Sequence, residues 1–381
     1  MKLKLNLNNI NLPFMRSKDA IGVDIGNYSV KIVHLKNFAN KWSLQSYASE
    51  MIYLGQDTPG TGTGSADKRQ MAVNAIKKLL SQNKIMVKYA ATSVSGNSVI
   101  VRYVKFPKMP YQQLAKTIPV EAEAYIPFAI QDVNIAFQIL GDVVEDGATN
   151  METLIVATKK EVIQNKIDIL VEAGLVPVVV DVDSFAVENA IAVNVPENEK
   201  AAAIIVNSGV STTNISVIEG GKSRVVRDVF IAGDTFTKSI QRNMQINWKQ
   251  AEEYKIKFGI GESAANELEP PKGDTEQIKA QVHSALTSAL KELIVEIQRS
   301  IDYYQTQGQV DKRIEKIYLC GGGMMIKNVD TYLQAQMRLP VELFNPFKKL
   351  SAETAGMKLS QYAVAVGLAT RYKKDTEGLT R

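Results

Sequence analysis

Asp24, Gly26, Asn27 and Lys31 fall within one short run, Asp24-Ile25-Gly26-Asn27-Tyr28-Ser29-Val30-Lys31, and their types suit the holding of phosphate. A glycine turn between two strands presents consecutive backbone N–H groups that no ladder bond uses, and such a nest binds phosphate oxygens. Lys31 adds a positive charge beside it, and Asp24 is a carboxylate able to hold a magnesium ion through water. A second polar turn, Asn207-Ser208-Gly209-Val210-Ser211-Thr212-Thr213, has the same build, and Gly321-Gly322-Gly323 permits close backbone approach ahead of a helix. Each has a plainer reading. The first is also an ordinary hairpin with a solvated Asp and Lys, and the triplet is also a turn for helix packing. Three glycine turns able to enclose one nucleotide favour the functional reading of the set.

The elements that must position these turns can be read from periodicity. Apolar residues run in short β-type stretches over 20–24 and 29–35, with Gly26-Asn27 as the turn signal. Val30, Ile32 and Val33 follow the loop, so it leads into a strand, unlike a Walker loop or a Rossmann fingerprint, which open a helix. The opening then repeats: a strand at 203–206, the turn carrying Gly209, and a strand at 214–218 closed by Gly220-Gly221. Between the copies the pattern predicts a loop at 55–67, a helix at 68–83, strands at 98–106, 133–144 and 152–157, and helices near 110–114 and over 160–173. A strand at 177–181, a helix at 183–193 and a polar linker at 196–200 lead to the second copy. Beyond it, helices are expected at 236–245, 248–257 and 275–306, a strand at 317–319 and an apolar helix at 355–372.

Composition bounds the rest. A chain of 381 residues exceeds what one core usually organises, so two or more domains with a cleft are expected. A single cysteine, Cys320, excludes an internal disulfide and fits a reducing compartment. With only His34 and His283 besides, a His/Cys zinc site or a Ser-His or Cys-His hydrolase has little to build on. The formal charge of +5 is spread along the sequence with no basic track interleaved with aromatics, so no nucleic-acid partner is expected. No apolar run approaches the ~18 residues of a membrane span, and the first 19 residues read as a flexible leader, so a cytoplasmic protein is expected.

The three glycine motifs, in this order and spacing, resemble the two phosphate loops and the adenosine loop of the actin, FtsA and sugar-kinase superfamily. Within it, Glu121-Ala122-Glu123-Ala124-Tyr125-Ile126-Pro127-Phe128 and Leu154-Ile155-Val156-Ala157-Thr158-Lys159-Lys160 resemble signatures of the PilM family of type IV pilus assembly. So do residues 174–185 and Glu296-Ile297-Gln298-Arg299-Ser300-Ile301-Asp302-Tyr303-Tyr304, and the resemblance runs from about 20 to 371. It implies an α/β actin-like ATPase fold with two duplicated lobes around a nucleotide cleft and an FtsA-like inserted subdomain. The expected division is leader 1–19, first lobe 20–96, inserted subdomain 97–177, lobe connection 178–200, second lobe 201–350, and a C-terminal helix and tail 351–381.

The same resemblance implies that ATP or ADP with Mg2+ is held by Asp24, Gly26, Asn27 and Lys31 on one side and by Asn207, Gly209, Ser211, Thr212 and Thr213 on the other. It places Glu252 and Lys255 at the nucleoside, against a plain reading of that pair as a solvated helical face, and Gly321, Gly322, Gly323 and Met324 near the adenosine. Asp24 is the expected metal contact, through water. It implies a partner as well: the cytoplasmic N-terminal tail of the inner-membrane protein PilN, bound beside the inserted subdomain and linking motor ATPases to the assembly platform. Membrane contact is then only through partners. Tyr125 and Phe128 are aromatic candidates for that groove, or core residues. The leader segment Ile10-Asn11-Leu12-Pro13-Phe14 resembles the partner's tail, so it is either a disordered tail or an occupant of the groove in its own or a neighbouring molecule.

One position departs from the superfamily. Its second phosphate loop usually carries an Asp, and here stands Asn207, an uncharged and poorer magnesium ligand. Nucleotide binding with slow or negligible turnover is therefore expected, with Asp181 or Asp183 either orienting water or capping the core. Two rival readings share the fold. An FtsA-like membrane filament needs an amphipathic terminal helix, which residues 371–381 lack, and a small-molecule kinase needs a substrate base that is not evident.

Overall fold

The computed structural model describes residues 19–38, 41–52, 65–145, 147–195, 201–261, 273–306, 313–351, 354 and 359–371. The leader with Ile10 to Phe14, most of the loop at 55–67, the linker at 196–200 and the tail from 372 lie outside the described residues. The chain begins β1 (Ile21–Ile25), β2 (Ser29–Phe38), β3 (Lys41–Met51), α1 (Ser65–Gln82) and β4 (Tyr89–Val94). Next come β5 (Val99–Pro107), α2 (Tyr111–Glu121), β6 (Val133–Glu145), β7 (Ala148–Lys159), α3 (Lys160–Glu172), β8 (Val176–Val182) and α4 (Asp183–Asn194). The second half holds β9 (Ala202–Ser208), β10 (Thr213–Glu219), β11 (Lys222–Val229), α5 (Gly233–Met244), α6 (Trp248–Phe258) and α7 (Asp274–Thr306). It closes with β12 (Ile314–Cys320), α8 (Val329–Met337), β13 (Val341–Leu343) and α9 (Ala363–Ala369).

Two sheets repeat one plan. The first has the order β3-β2-β1-β4-β8 and the second β11-β10-β9-β12-β13, each an antiparallel meander joined to parallel strands. The central strands β1 and β9 are buried on both faces, as parallel-paired strands between helical layers must be. Alternation sorts their residues. Ile21 and Val23 face α1 and α3, Ile204 and Val206 face α5 to α8, and the intervening residues, ending in Asp24 and Asn207, face the space between the sheets. That space is filled by α4 and α9. Between β4 and β8 the chain makes an excursion through the antiparallel sheet β5-β7-β6, whose core packs Leu114 and Ile118 of α2. Then α3 returns to α1 and the first sheet. No helix among the described residues is long and apolar enough to cross a membrane.

Several elements differ from expectation. Strands β3, β4, β11 and β13 and helix α8 are unassigned by periodicity. Among the described residues of the apolar helix expected over 355–372, those from Ala363 to Ala369 are α-helical, after a single 3-10 turn at Ser360–Tyr362. Residues 355–358 and 372 of that stretch lie outside the described residues. The 3-10 turn has a cause: the Ser360 carbonyl accepts the Gly321 N–H at 3.0 Å, which ties it to the third glycine turn. Complete burial of 363–369, not helix length, is what made that segment uniformly apolar.

One buried carboxyl joins three units. Ser223 of β11 donates its hydroxyl to Glu188 of α4 at 2.9 Å, and Tyr103 of β5 shares a hydrogen bond with the same hydroxyl at 3.0 Å. Burial pushes the Glu188 carboxyl up to about 8 from 4.5. The folded protein therefore binds a proton that the unfolded chain has released, so this stabilisation is present below pH 4.5 and lost as the pH rises towards about 8. Replacing Glu188 with Gln is expected to flatten the fall in urea unfolding midpoint between about pH 5 and about pH 8. An equal slope in parent and variant would contradict it.

Candidate functional site

The two hairpin turns are built alike. In the first, β1 and β2 pair Asp24 with Lys31 and Ile25 with Val30, and Gly26 N–H donates to the Ser29 carbonyl at 3.2 Å. In the second, β9 and β10 pair Asn207 with Asn214, and Gly209 N–H donates to the Thr212 carbonyl at 2.9 Å. The loops meet across the cleft, where the Asn27 amide donates to the Ser211 hydroxyl at 3.3 Å. At the centre, Lys31 Nζ lies 3.1 Å from Asp24 Oδ2, with both side chains largely buried.

The third turn presses on the second. Gly321 has φ +84°, and a Cβ there would lie 2.2 Å from the Ser208 carbonyl oxygen; one on Gly323 would lie 2.6 Å from both Gly209 O and Ser208 Oγ. Only glycine lets these backbones stack so closely. The start of α5 completes the wall, with Gly233 N–H donating to Gly209 O at 3.0 Å and Asp234 N–H to Val210 O at 2.8 Å.

Helix α6 supplies the other end of the cleft. Lys255 Nζ lies 2.7 Å from Glu252 Oε2 and donates to Thr237 Oγ1 at 2.8 Å, while Thr237 itself donates to Glu252 at 2.5 Å. Burial lowers the Lys255 pKa, opposed by the Glu252 charge. So Glu252 and Lys255 form a paired, hydrogen-bonded group, not a solvated face. Trp248 lines the cleft beside them, its indole N–H held by Asp234 at 3.0 Å.

The resulting cleft encloses about 360 Å³, within the range of small-molecule sites. Of the expected residues, Asp24, Gly26, Asn27, Lys31, Asn207, Gly209, Ser211, Thr212, Glu252, Lys255 and Gly321 to Gly323 line it. Two do not. Thr213 is fully buried, its hydroxyl donating to Ile231 O at 2.6 Å and hydrogen-bonded with Ser208 Oγ at 2.8 Å. Met324 is buried in the core of the second half, and Met325 faces the cleft in its place. Both are parity errors: a strand or a tight turn sends the adjacent residue to the opposite side.

The two acids at the junction of β8 and α4 separate cleanly. Asp181 accepts from Arg371 Nε at 2.8 Å and Val182 N–H at 2.9 Å, so it is committed to the core. Asp183, at the start of α4, lines the cleft. Burial raises its pKa, with Asp24 adding to the shift and hydrogen bonds from Ser93 and Ser95 and the charge of Lys166 opposing it. Lys166 was not anticipated. It lies on α3, donates to the Ile25 carbonyl at 2.6 Å, and has its pKa lowered by burial, against the pull of Asp183 and Asp24. Its signal was in the sequence: it stands three residues after Ile163 and four before Leu170, on the buried face of an amphipathic helix.

A protein-held magnesium fits this arrangement poorly. Asp24 is engaged by Lys31, and Asn207 donates its amide to Asn214 Oδ1 at 2.8 Å. Among the described residues, no three His, Cys, Asp or Glu side chains are grouped to share a metal ion. The Asn207 chain continues, since Asn214 donates to Asp228 Oδ1 at 2.7 Å and Asp228 Oδ2 accepts the Gly96 N–H at 2.7 Å.

Two sheets of one strand order, facing each other across paired glycine hairpins, define the actin-like fold, α/β with a duplicated core. The chain belongs to the type IV pilus assembly protein PilM family, whose model matches residues 22–373. A PilM-PilN type IV pilus biogenesis complex matches with a TM-score of 0.75 and 26% identity, covering 93% of this chain and 98% of that one. MreB5 of Spiroplasma citri bound to ADP matches at 0.51 and 15% identity, over 95% of this chain and 98% of that one. The same protein bound to AMPPNP matches at 0.50 and 16% identity, over 96% and 99%. At such identities the MreB5 likeness concerns the fold alone.

Proposed function

We propose that this chain is a nucleotide-binding scaffold of type IV pilus assembly, which holds ATP or ADP between its lobes and binds the cytoplasmic N-terminal tail of a PilN-type membrane protein. Its output is partner binding, linking the pilus motor to the assembly platform from the cytoplasmic face of the membrane. The carrying observation is the convergence of two alike hairpin turns, joined by Asn27 and Ser211, on a third glycine turn that no larger residue could form. The likeness to a PilM-PilN complex supports the partner, and the fold is one that in MreB5 holds ADP or AMPPNP.

In this reading the N–H groups of both turns and Lys31 receive the phosphates, and Lys255 with Glu252 and Trp248 border the nucleoside. Turnover is slow because position 207 is an amide already used as a donor, leaving Asp183 without an acidic partner on the second loop. The excursion between β4 and β8 supports assigning the inserted subdomain to that part of the chain. Its exposed Tyr125 is a candidate partner contact, whereas Phe128 is half-buried against the sheet with Lys159 Nζ 4.9 Å from its ring centre.

Calorimetric titration tests both ligands. ADP or ATP is expected to bind saturably, and Lys31→Ala to weaken it about tenfold, or about 1.4 kcal/mol. A PilN-type peptide is expected to bind the same protein, more weakly after Tyr125→Ala. No heat and no spectroscopic change with either nucleotide would remove the ligand reading.

A further inference from the structure

Lys166 is a half-buried lysine behind the first phosphate turn, and taking an ammonium out of water is costly unless its charge is matched. It donates to the Ile25 carbonyl, inside the Asp24 to Lys31 turn, and its charge acts on Asp183 and Asp24. Lys31 occupies the other side of Asp24 at 3.1 Å. The two carboxylates that face the phosphate end of the cleft are therefore opposed by two lysines of the protein. The third position, Asn207, has no charge to oppose, and Glu252 is matched by Lys255.

A carboxylate beside a polyphosphate repels it unless a cation stands between them, which is the usual task of a divalent ion in a nucleotide site. We infer that this cleft takes a nucleoside diphosphate or triphosphate without a divalent cation, Lys31 and Lys166 supplying that compensation from within the protein. The inference rests on the nucleotide reading above. Lys31 touches the phosphate region directly, since it lines the cleft. Lys166 is a positioning residue: it fixes the turn through Ile25 O and offsets the acids from behind.

The decisive measurement is the affinity of the full chain for ADP by calorimetry, with magnesium present and with excess EDTA. The expected result is a change of less than about threefold, well under the tenfold that corresponds to about 1.4 kcal/mol. Binding in magnesium that falls tenfold or more in EDTA overturns the inference and leaves the nucleotide reading standing. Binding in neither condition overturns the nucleotide reading and the inference with it. Lys166→Met is expected to make affinity depend on magnesium by at least about fivefold, and Lys166→Arg to restore indifference. A Lys166→Met protein as indifferent as its parent removes Lys166 from the mechanism. The parent experiment needs no variant, so it decides even if Lys166→Met fails to fold.

Discussion

Replacing Gly367 with alanine is expected to destabilise the fold by about 3 kcal/mol or more, at the upper end of overpacking effects. A Cβ at Gly367 would lie 1.6 Å from the Ala186 carbonyl oxygen and 2.5 Å from its carbon. Backbone is met here, not a side chain that could turn away. Nor can α9 retreat, because on its other side a Cβ at Gly22 would lie 2.0 Å from the Ala365 carbonyl oxygen, which shows how closely β1 already lies against it. The helix is wedged between β1 and α4, and any shift opens the apolar layer between the two sheets. The urea unfolding midpoint of Gly367→Ala checks this; a midpoint equal to the parent's would mean that the helices do not touch there.

Asp181→Ala is expected to cost about 3–5 kcal/mol, because it takes from the Arg371 guanidinium the buried carboxylate it is paired with. Arg371 reaches Asp181 Oδ2 with Nη2 at 2.7 Å, and the two side chains are only 11% and 1% exposed. Arg371→Ala strands the carboxylate instead and should cost a similar amount. The double variant Asp181→Ala/Arg371→Ala should then lose much less than the two singles summed, since each single already forfeits the shared pair. Thermal or urea midpoints of the three variants measure the coupling. Strict additivity would show that the pair is a surface contact of little weight.

Much of this was legible because the loops carry chemistry and the strands carry alternation. Asp24, Gly26, Asn27 and Lys31, with their counterparts around Gly209, marked both hairpins, and the duplicated opening marked both sheets. What escaped was decided by contacts far apart in sequence. Strand β3 alternates exposed and half-buried residues at the sheet edge, a weaker pattern than the apolar runs of β1 and β9. Thr213 and Met324 have suitable types and the wrong parity. Lys166 looks like any helix lysine until Ile25 and the two carboxylates are placed beside it. Asp181 and Asp183 are two residues apart in similar surroundings, and only the arrival of Arg371 distinguishes the core acid from the cleft acid.

The position of α9 also sets an order of events during synthesis. Strand β1 is made long before the helix that covers Gly22, with the other described strands and helices made between them. Until then Val33, Leu35 and Ala91 lack the part of their apolar layer that α9 supplies. The nascent first half must therefore wait with an apolar face open to water, and contacts of such long sequence separation make for slow folding. Chaperone demand should be greatest just before the segment 363–369 clears the exit tunnel, and the first half should become resistant to protease only afterwards.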